Sequence, residues 1–251
     1  MEKREIYQNP QLDGSTFFWK SGDVAVLCLH GFTATTVEVR IMASFLTSIG
    51  YTTYGPLLPG HGTDIEDMLK ARWQDWVKTV EESYSMLKND YKQVFVLGES
   101  MGALLALYLC EQHPEIPGAL LFAPALKIKN FFLPKLLWPF VKYKFKNYSK
   151  DGDDMPWQGY DVVPMRPAAS LYDFQKIVKK NLDKVTAPVL IFQGKLDATI
   201  DPTGSVTVLE NINSTDKELV WLEDSGHVIL LDKQLEDAQL LTQEFLARRA
   251  A

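Results

Sequence analysis

Cysteine is scarce. Only Cys28 and Cys110 occur, both inside apolar runs, so no disulfide framework or cysteine metal site is called for and two buried free thiols are expected. Long hydrophobic runs are missing as well. No stretch reaches the roughly 20 apolar residues that span a bilayer. The opening MEKREIYQNP is charged and carries no apolar signal segment. Stable membrane insertion is therefore not expected, and a cytoplasmic location is. Positive charge is also in deficit: 26 Lys and Arg against 32 Asp and Glu leave a net charge of −6, which argues against a nucleic-acid partner. The chain has no His-Glu-x-x-His, and Asp151-Gly152-Asp153-Asp154 lacks the glycine and closing glutamate of a calcium loop, so it reads as solvated surface. No glycine-rich phosphate or dinucleotide fingerprint is present. Neither metal nor cofactor is expected.

What is present is an ordinary globular balance, 46% hydrophobic and 23% charged over 251 residues, enough for one large α/β domain. Short apolar runs at 24–29, 51–54, 94–97, 119–122, 189–192 and 219–222 read as strands. Helical patterns lie at 37–49, 73–87, 101–111 and 232–248. The first helix carries Val37, Ile41, Phe45 and Ile49 on one face, with a threonine pair at its start and Gly50 as its stop. Residues 16–19 and 24–29 flank Lys20-Ser21-Gly22-Asp23, which predicts an opening β-hairpin. Continuous apolar strands alternating with amphipathic helices predict a mostly parallel sheet covered on both faces. The rhythm breaks at 124–184, where no clean strand stands out. A structureless loop of that length would be unusual, so a small helical insertion is expected there, with 1–123 and 185–251 forming the core of a single domain.

The candidate chemistry centres on Gly98-Glu99-Ser100-Met101-Gly102, which follows a strand and opens a helix. In that context a serine between two glycines sits on a sharp turn with its hydroxyl exposed. The amides and positive dipole end of the following helix favour a developing oxyanion. A hydroxyl needs a base, and the chain has four histidines. His227, in Asp224-Ser225-Gly226-His227, follows the last strand and opens at the same sheet edge as Ser100. Asp197, in Gly194-Lys195-Leu196-Asp197, follows the strand before it. Asp201 is the competing acid, but it precedes Pro202 and suits a helix cap. The order Ser100, Asp197, His227 is that of a serine hydrolase on an α/β sheet. After the first long strand, Leu29-His30-Gly31-Phe32 offers the Phe32 amide as an oxyanion donor beside that of Met101. His30 and His61 are expected to brace loops, and His113 stands at a helix end with no functional argument.

These residues stand within longer segments: LCLHGFTAT, PGHGTDIEDM, DWVKTVEESYSMLK, GESMG, GKLDATID and DSGHVILLD. Over nearly its whole length the chain resembles the bacterial carboxylesterase and monoacylglycerol lipase branch of the α/β-hydrolase superfamily. The resemblance implies Ser100 as nucleophile, Asp197 as acid, His227 as base, and the Phe32 and Met101 amides as oxyanion hole. It further implies cofactor-free hydrolysis of small-molecule esters of short or medium acyl chains, monoacylglycerols among them, and a cap in the region of 124–184. Phe131, Phe132, Leu136 and Trp138 of that cap, with Phe32, are the expected acyl contacts; they equally suit packing of the cap onto the body. Lys135, Lys142, Lys144 and Lys146 interleave with the aromatics and read first as a solvated face, second as a contact for anionic lipid. Two positions depart from the usual pattern, Glu99 beside the nucleophile and Ala103 in place of a frequent glycine. The same triad would also suit thioesters, lactones or small amides, and a non-catalytic binding homologue is the remaining alternative. No motif sets an oligomeric state.

Overall fold

The computed structural model describes residues 5–129, 131–146 and 155–250. In chain order these form β1 (Tyr7–Gln8), β2 (Phe17–Trp19), β3 (Val24–Leu29), α1 (Val37–Ser48), β4 (Thr52–Gly55), α2 (Ile65–Met68), α3 (Trp73–Asp90), β5 (Gln93–Glu99), α4 (Met101–Gln112) and β6 (Ala119–Phe122). Then follow α5 (Leu133–Leu137), β7 (Tyr143–Phe145), β8 (Gly159–Tyr160), β9 (Val162–Pro164), α6 (Met165–Lys180), β10 (Val189–Gly194), α7 (Thr203–Asn211), β11 (Lys217–Leu222) and α8 (Leu235–Ala247). The Asp151–Asp154 stretch, read from sequence as solvated surface, lies outside the described residues.

Seven strands make the central sheet in the order β11-β10-β6-β5-β3-β4-β2, parallel except for β2. The inner strands β3, β5, β6 and β10 are buried almost throughout, as unbroken apolar runs require when helices cover both faces. Cys28 and Cys110 are buried free thiols, as expected. Helix α4 is apolar on nearly every side because it is enclosed: it packs on β5, β6 and β3 and is covered by α3 and α6. Across the paired ends of β6 and β10, the rings of Phe122 and Phe192 stack with centroids 4.6 Å apart.

Three expectations are corrected. The opening strands do not form a hairpin: β3 takes parallel partners on both sides, β4 and β5, and β2 is displaced to the sheet edge as the antiparallel partner of β4. Helix α1 does not bury the Val37, Ile41, Phe45 and Ile49 stripe as a unit. It turns Val39, Met42, Ala43 and Leu46 inward and leaves Ile41 42% exposed, because the helix is apolar over much of its circumference and the sheet covers only one side. The stretch between β6 and β10 is not purely helical. It adds two antiparallel ribbons, β7 with β9 and β8 with β1.

One buried carboxyl stands far from the start of α4. Glu111 lies near the end of that helix, close to Lys184, Asp183 and Asn181. Burial pushes it up to about 8, with Asp183 adding to the rise and Lys184 and Asn181 opposing it. A carboxyl that holds its proton more tightly when folded adds stability at low pH, and that stability is lost as pH rises toward about 8. Glu111→Gln is expected to melt above the parent at about pH 9, with the difference shrinking toward about pH 5. Thermal melts at the two pH values measure this.

Candidate active site

The parallel strands bring their C-terminal ends to one edge, and β5 ends there in a sharp turn. Ser100 has φ 56° and ψ −110°, a conformation that costs an ordinary side chain of order 1–3 kcal/mol. Two close approaches surround it. A Cβ on Gly98 would lie 2.2 Å from the backbone of Gly102, and a Cβ on Gly102 would lie 2.0 Å from the Leu29 carbonyl oxygen. Only glycine permits α4 to start this close to the ends of β5 and β3. The turn is further held by the Ser100 amide donating to Phe122 O (2.8 Å) and the Ala125 amide donating to Ser100 O (3.2 Å).

Three sequence-predicted residues meet above this turn. His227 Nε2 lies 2.9 Å from Ser100 Oγ, and His227 Nδ1 lies 2.8 Å from Asp197 Oδ2. The Asp197 side chain is fully buried, and its other oxygen accepts the Thr199 and Ile200 amides at 2.9 and 3.0 Å. Burial alone would raise Asp197, but the facing imidazole and these two amides hold it below the usual carboxylate range. With the carboxylate on Nδ1, the proton there leaves Nε2 free to accept from the serine. Asp201 goes elsewhere: it accepts the Thr203 amide and hydroxyl, as a cap would, and pairs with Lys127 at 2.9 Å.

Sequence reading had overlooked Gln193, the buried penultimate residue of β10. Its Nε2 donates to Asp197 Oδ2 (3.1 Å) and its Oε1 accepts from Ser205 Oγ (2.7 Å), so it orients the acid from behind. A glutamine inside an apolar strand run was the available signal. The histidine loop is held in turn by the Gly226 amide on Asp232 Oδ2 (2.6 Å) and the Asp224 amide on Gln234 Oε1 (2.8 Å).

The loop after β3 reaches the same edge. His30 is buried and braces it: Nδ1 faces Gly31 O at 2.9 Å while Nε2 accepts the Leu58 amide at 3.1 Å. Burial lowers His30 to about 4, so the ring is a neutral strut. His61 is likewise a buried brace, with Nδ1 3.2 Å from both Leu58 O and Pro59 O. His113 follows the opposite end of α4 and pairs with Glu81 (2.7 Å). Thr33 is in the left-handed region (φ 66°), and the inserted stretch pins it: the Tyr160 amide donates to Thr33 O (2.8 Å) and Lys146 Nζ to Thr33 Oγ1 (2.7 Å). Neither the Phe32 nor the Met101 amide has a protein acceptor among the described residues, so both are available as donors. The Phe32 ring packs on Trp76 at 5.8 Å.

The other expected acyl contacts are placed less centrally. Phe131 is half-buried against the core. Phe132, Leu136 and Trp138, on and around α5, remain 47%, 62% and 42% exposed. Trp138 lines a surface hollow with Glu66, Leu69, Lys70, Lys142 and Arg166. Among the described residues no His, Cys, Asp and Glu cluster could hold a metal, and no helix is long and apolar enough to cross a membrane.

The family described as serine aminopeptidase, S33, matches residues 21–234. The chain belongs to this family of α/β-hydrolases. This hydrolase is 35% identical over 252 residues to the thermostable monoacylglycerol lipase of Bacillus sp. (strain H-257), covering 97% of this chain and 98% of that one. It is 31% identical to a carboxylesterase of Bacillus subtilis (strain 168), over 92% of this chain and 96% of the relative. Among solved structures it is similar to one from a study of LipS and LipT, two metagenome-derived lipolytic enzymes. The TM-score is 0.88 and the identity 26%, covering 94% of this chain and 98% of the other. The chain is thus an enzyme of the bacterial carboxylesterase and monoacylglycerol lipase type.

The packing at the turn sets an expectation for stability. Gly102→Ala places a methyl group against the Leu29 carbonyl and is expected to cost about 3 kcal/mol. Urea denaturation of the purified variant measures it.

Proposed function

We propose that this hydrolase cleaves carboxylic esters of short to medium acyl chains, monoacylglycerols among them, through an acyl-enzyme on Ser100. The observation that carries the reading is the continuous hydrogen-bonded chain from Ser100 Oγ through His227 to Asp197. In this reading His227 Nε2 takes the hydroxyl proton as Ser100 Oγ bonds to the ester carbonyl carbon. The carbonyl oxygen becomes an oxyanion held by the amides of Phe32 and Met101. Asp197 stabilises the imidazolium and keeps its tautomer. The carbonyl re-forms, the C–O bond to the alcohol breaks, and His227 protonates the departing oxygen. Water, deprotonated by the same imidazole, then attacks the acyl-enzyme, and the acid leaves with Ser100 restored.

Residues 124–184 act as the cap over this edge, with Phe32 nearest the reacting carbonyl and Phe131, Phe132, Leu136 and Trp138 as further apolar contacts for the acyl chain. The exposure of α5 supports a role in receiving apolar substrate, since a cap that only packed onto the body would bury those rings. The names of the relatives, a monoacylglycerol lipase and a carboxylesterase, favour oxygen esters. The family description names an aminopeptidase, so amides form the necessary control.

The test is hydrolysis of p-nitrophenyl esters from acetyl to palmitoyl, with 1-monoacylglycerol and a p-nitroanilide in parallel. Turnover of short or medium esters over anilide is the expected result. Ser100→Ala is expected to lose on the order of 10⁴-fold or more in kcat, and Asp197→Asn on the order of 10³–10⁴-fold. Asp201→Asn is expected to stay within a few-fold of the parent, and the reverse ranking would reassign the acid.

A further inference from the structure

Two carboxyls beside the nucleophile have no task in that mechanism. Glu38, in the first turn of α1, is almost fully buried, and its Oε2 accepts the Gly31 amide at 2.5 Å. Gly31 immediately precedes Phe32. A Cβ on Gly31 would lie 2.9 and 3.4 Å from the two Glu38 oxygens and 3.3 Å from Ser100 Cβ, so carboxylate, loop and nucleophile occupy one van der Waals layer. Glu99, at the end of β5, is completely buried. Its Oε1 accepts the Leu230 amide at 3.2 Å, just after His227, and its Oε2 has no partner among the described residues.

The groups around each carboxyl differ. Burial raises Glu38, but the Gly31 amide, His227, the Trp157 indole and Lys146 all favour its charged form. Glu99 stands well above the usual range through burial and then the charge of Glu38. Asp197 adds to this, and only the Leu230 and Ile229 amides oppose it. Both carboxyls are raised by burial, Glu99 the more strongly, and the groups that favour a negative charge gather around Glu38.

We propose that Glu38 is a positioning residue of the hydrolysis: its carboxyl holds the Gly31 amide so that the next amide, Phe32, is aimed at the oxyanion. Glu99 ties the end of the nucleophile strand to the segment after the histidine through the Leu230 amide. The inference rests on the ester-hydrolase reading of Ser100.

The test compares the parent with Glu38→Gln and Glu38→Met on a p-nitrophenyl ester, with Ser100→Ala as control and thermal melts confirming that each variant is folded at the assay temperature. Glutamine keeps an oxygen for the Gly31 amide and removes the charge; methionine removes both. The expected result is a kcat loss of about tenfold for Glu38→Gln and about 10²-fold for Glu38→Met, with KM changed by less than about threefold. Parent-like kcat in both variants, or equal losses in both, overturns the proposal while a dead Ser100→Ala leaves the ester-hydrolase reading intact. A parent protein that turns over no ester, or a fully active Ser100→Ala, removes the reading and the proposal together.

Discussion

The closeness of three backbones at one point governs the rest of this molecule. Helix α4 begins where the ends of β5 and β3 already stand, with Gly102 against the Leu29 carbonyl and Gly98 against Gly102. No side chain fits between them, and the connecting residue, Ser100, is forced into a left-handed conformation. That strain points the hydroxyl out of the sheet edge. The same crowding sets the first amide of α4 beside the loop leaving β3. The surrounding core supplies the stability that such a turn consumes, which is why α4 is enclosed on nearly every side.

Around that point the loops are fixed by side chains reaching backward. Gln193 and two amides hold Asp197; Asp232 and Gln234 hold the histidine loop; His30 holds the loop after β3. Each of these groups has a partner, and together they keep the Ser100, His227 and Asp197 atoms within hydrogen-bond reach. The inserted stretch takes part as well, because Tyr160 and Lys146 pin Thr33. Tyr160 and Lys146 thereby also shape the loop proposed to bind the oxyanion.

Much of this was legible in the chain. The strand runs, the turn around Ser100, and the order of Ser100, Asp197 and His227 are local patterns. Local patterns survive because a strand end or a tight turn constrains residue type regardless of its distant neighbours. The failures were non-local. Nothing near residues 16–29 says that β3 will take β4 and β5 as partners and send β2 to the edge. Two apolar stripes on α1 compete, and only the sheet decides which is buried. Glu38 and Gln193 passed unremarked because an acid in a first helical turn and an amide in a strand are ordinary until their partners are known.

By itself, then, the sequence determined the α/β class, the strained turn, the candidate nucleophile, base and acid, and the absence of metal-site spacing. It favoured Asp197 over Asp201 only from its place nearer the strand, since four residues of separation hold no information about direction. Tertiary structure alone decided that Asp197 faces the imidazole while Asp201 caps α7 and pairs with Lys127. It also decided that Glu99 has a companion in Glu38, from a helix more than fifty residues earlier in the chain. The physical reason is the same in both cases. A buried charge is defined by the dipoles and charges that surround it, and those arrive from segments that only the folded sheet brings together.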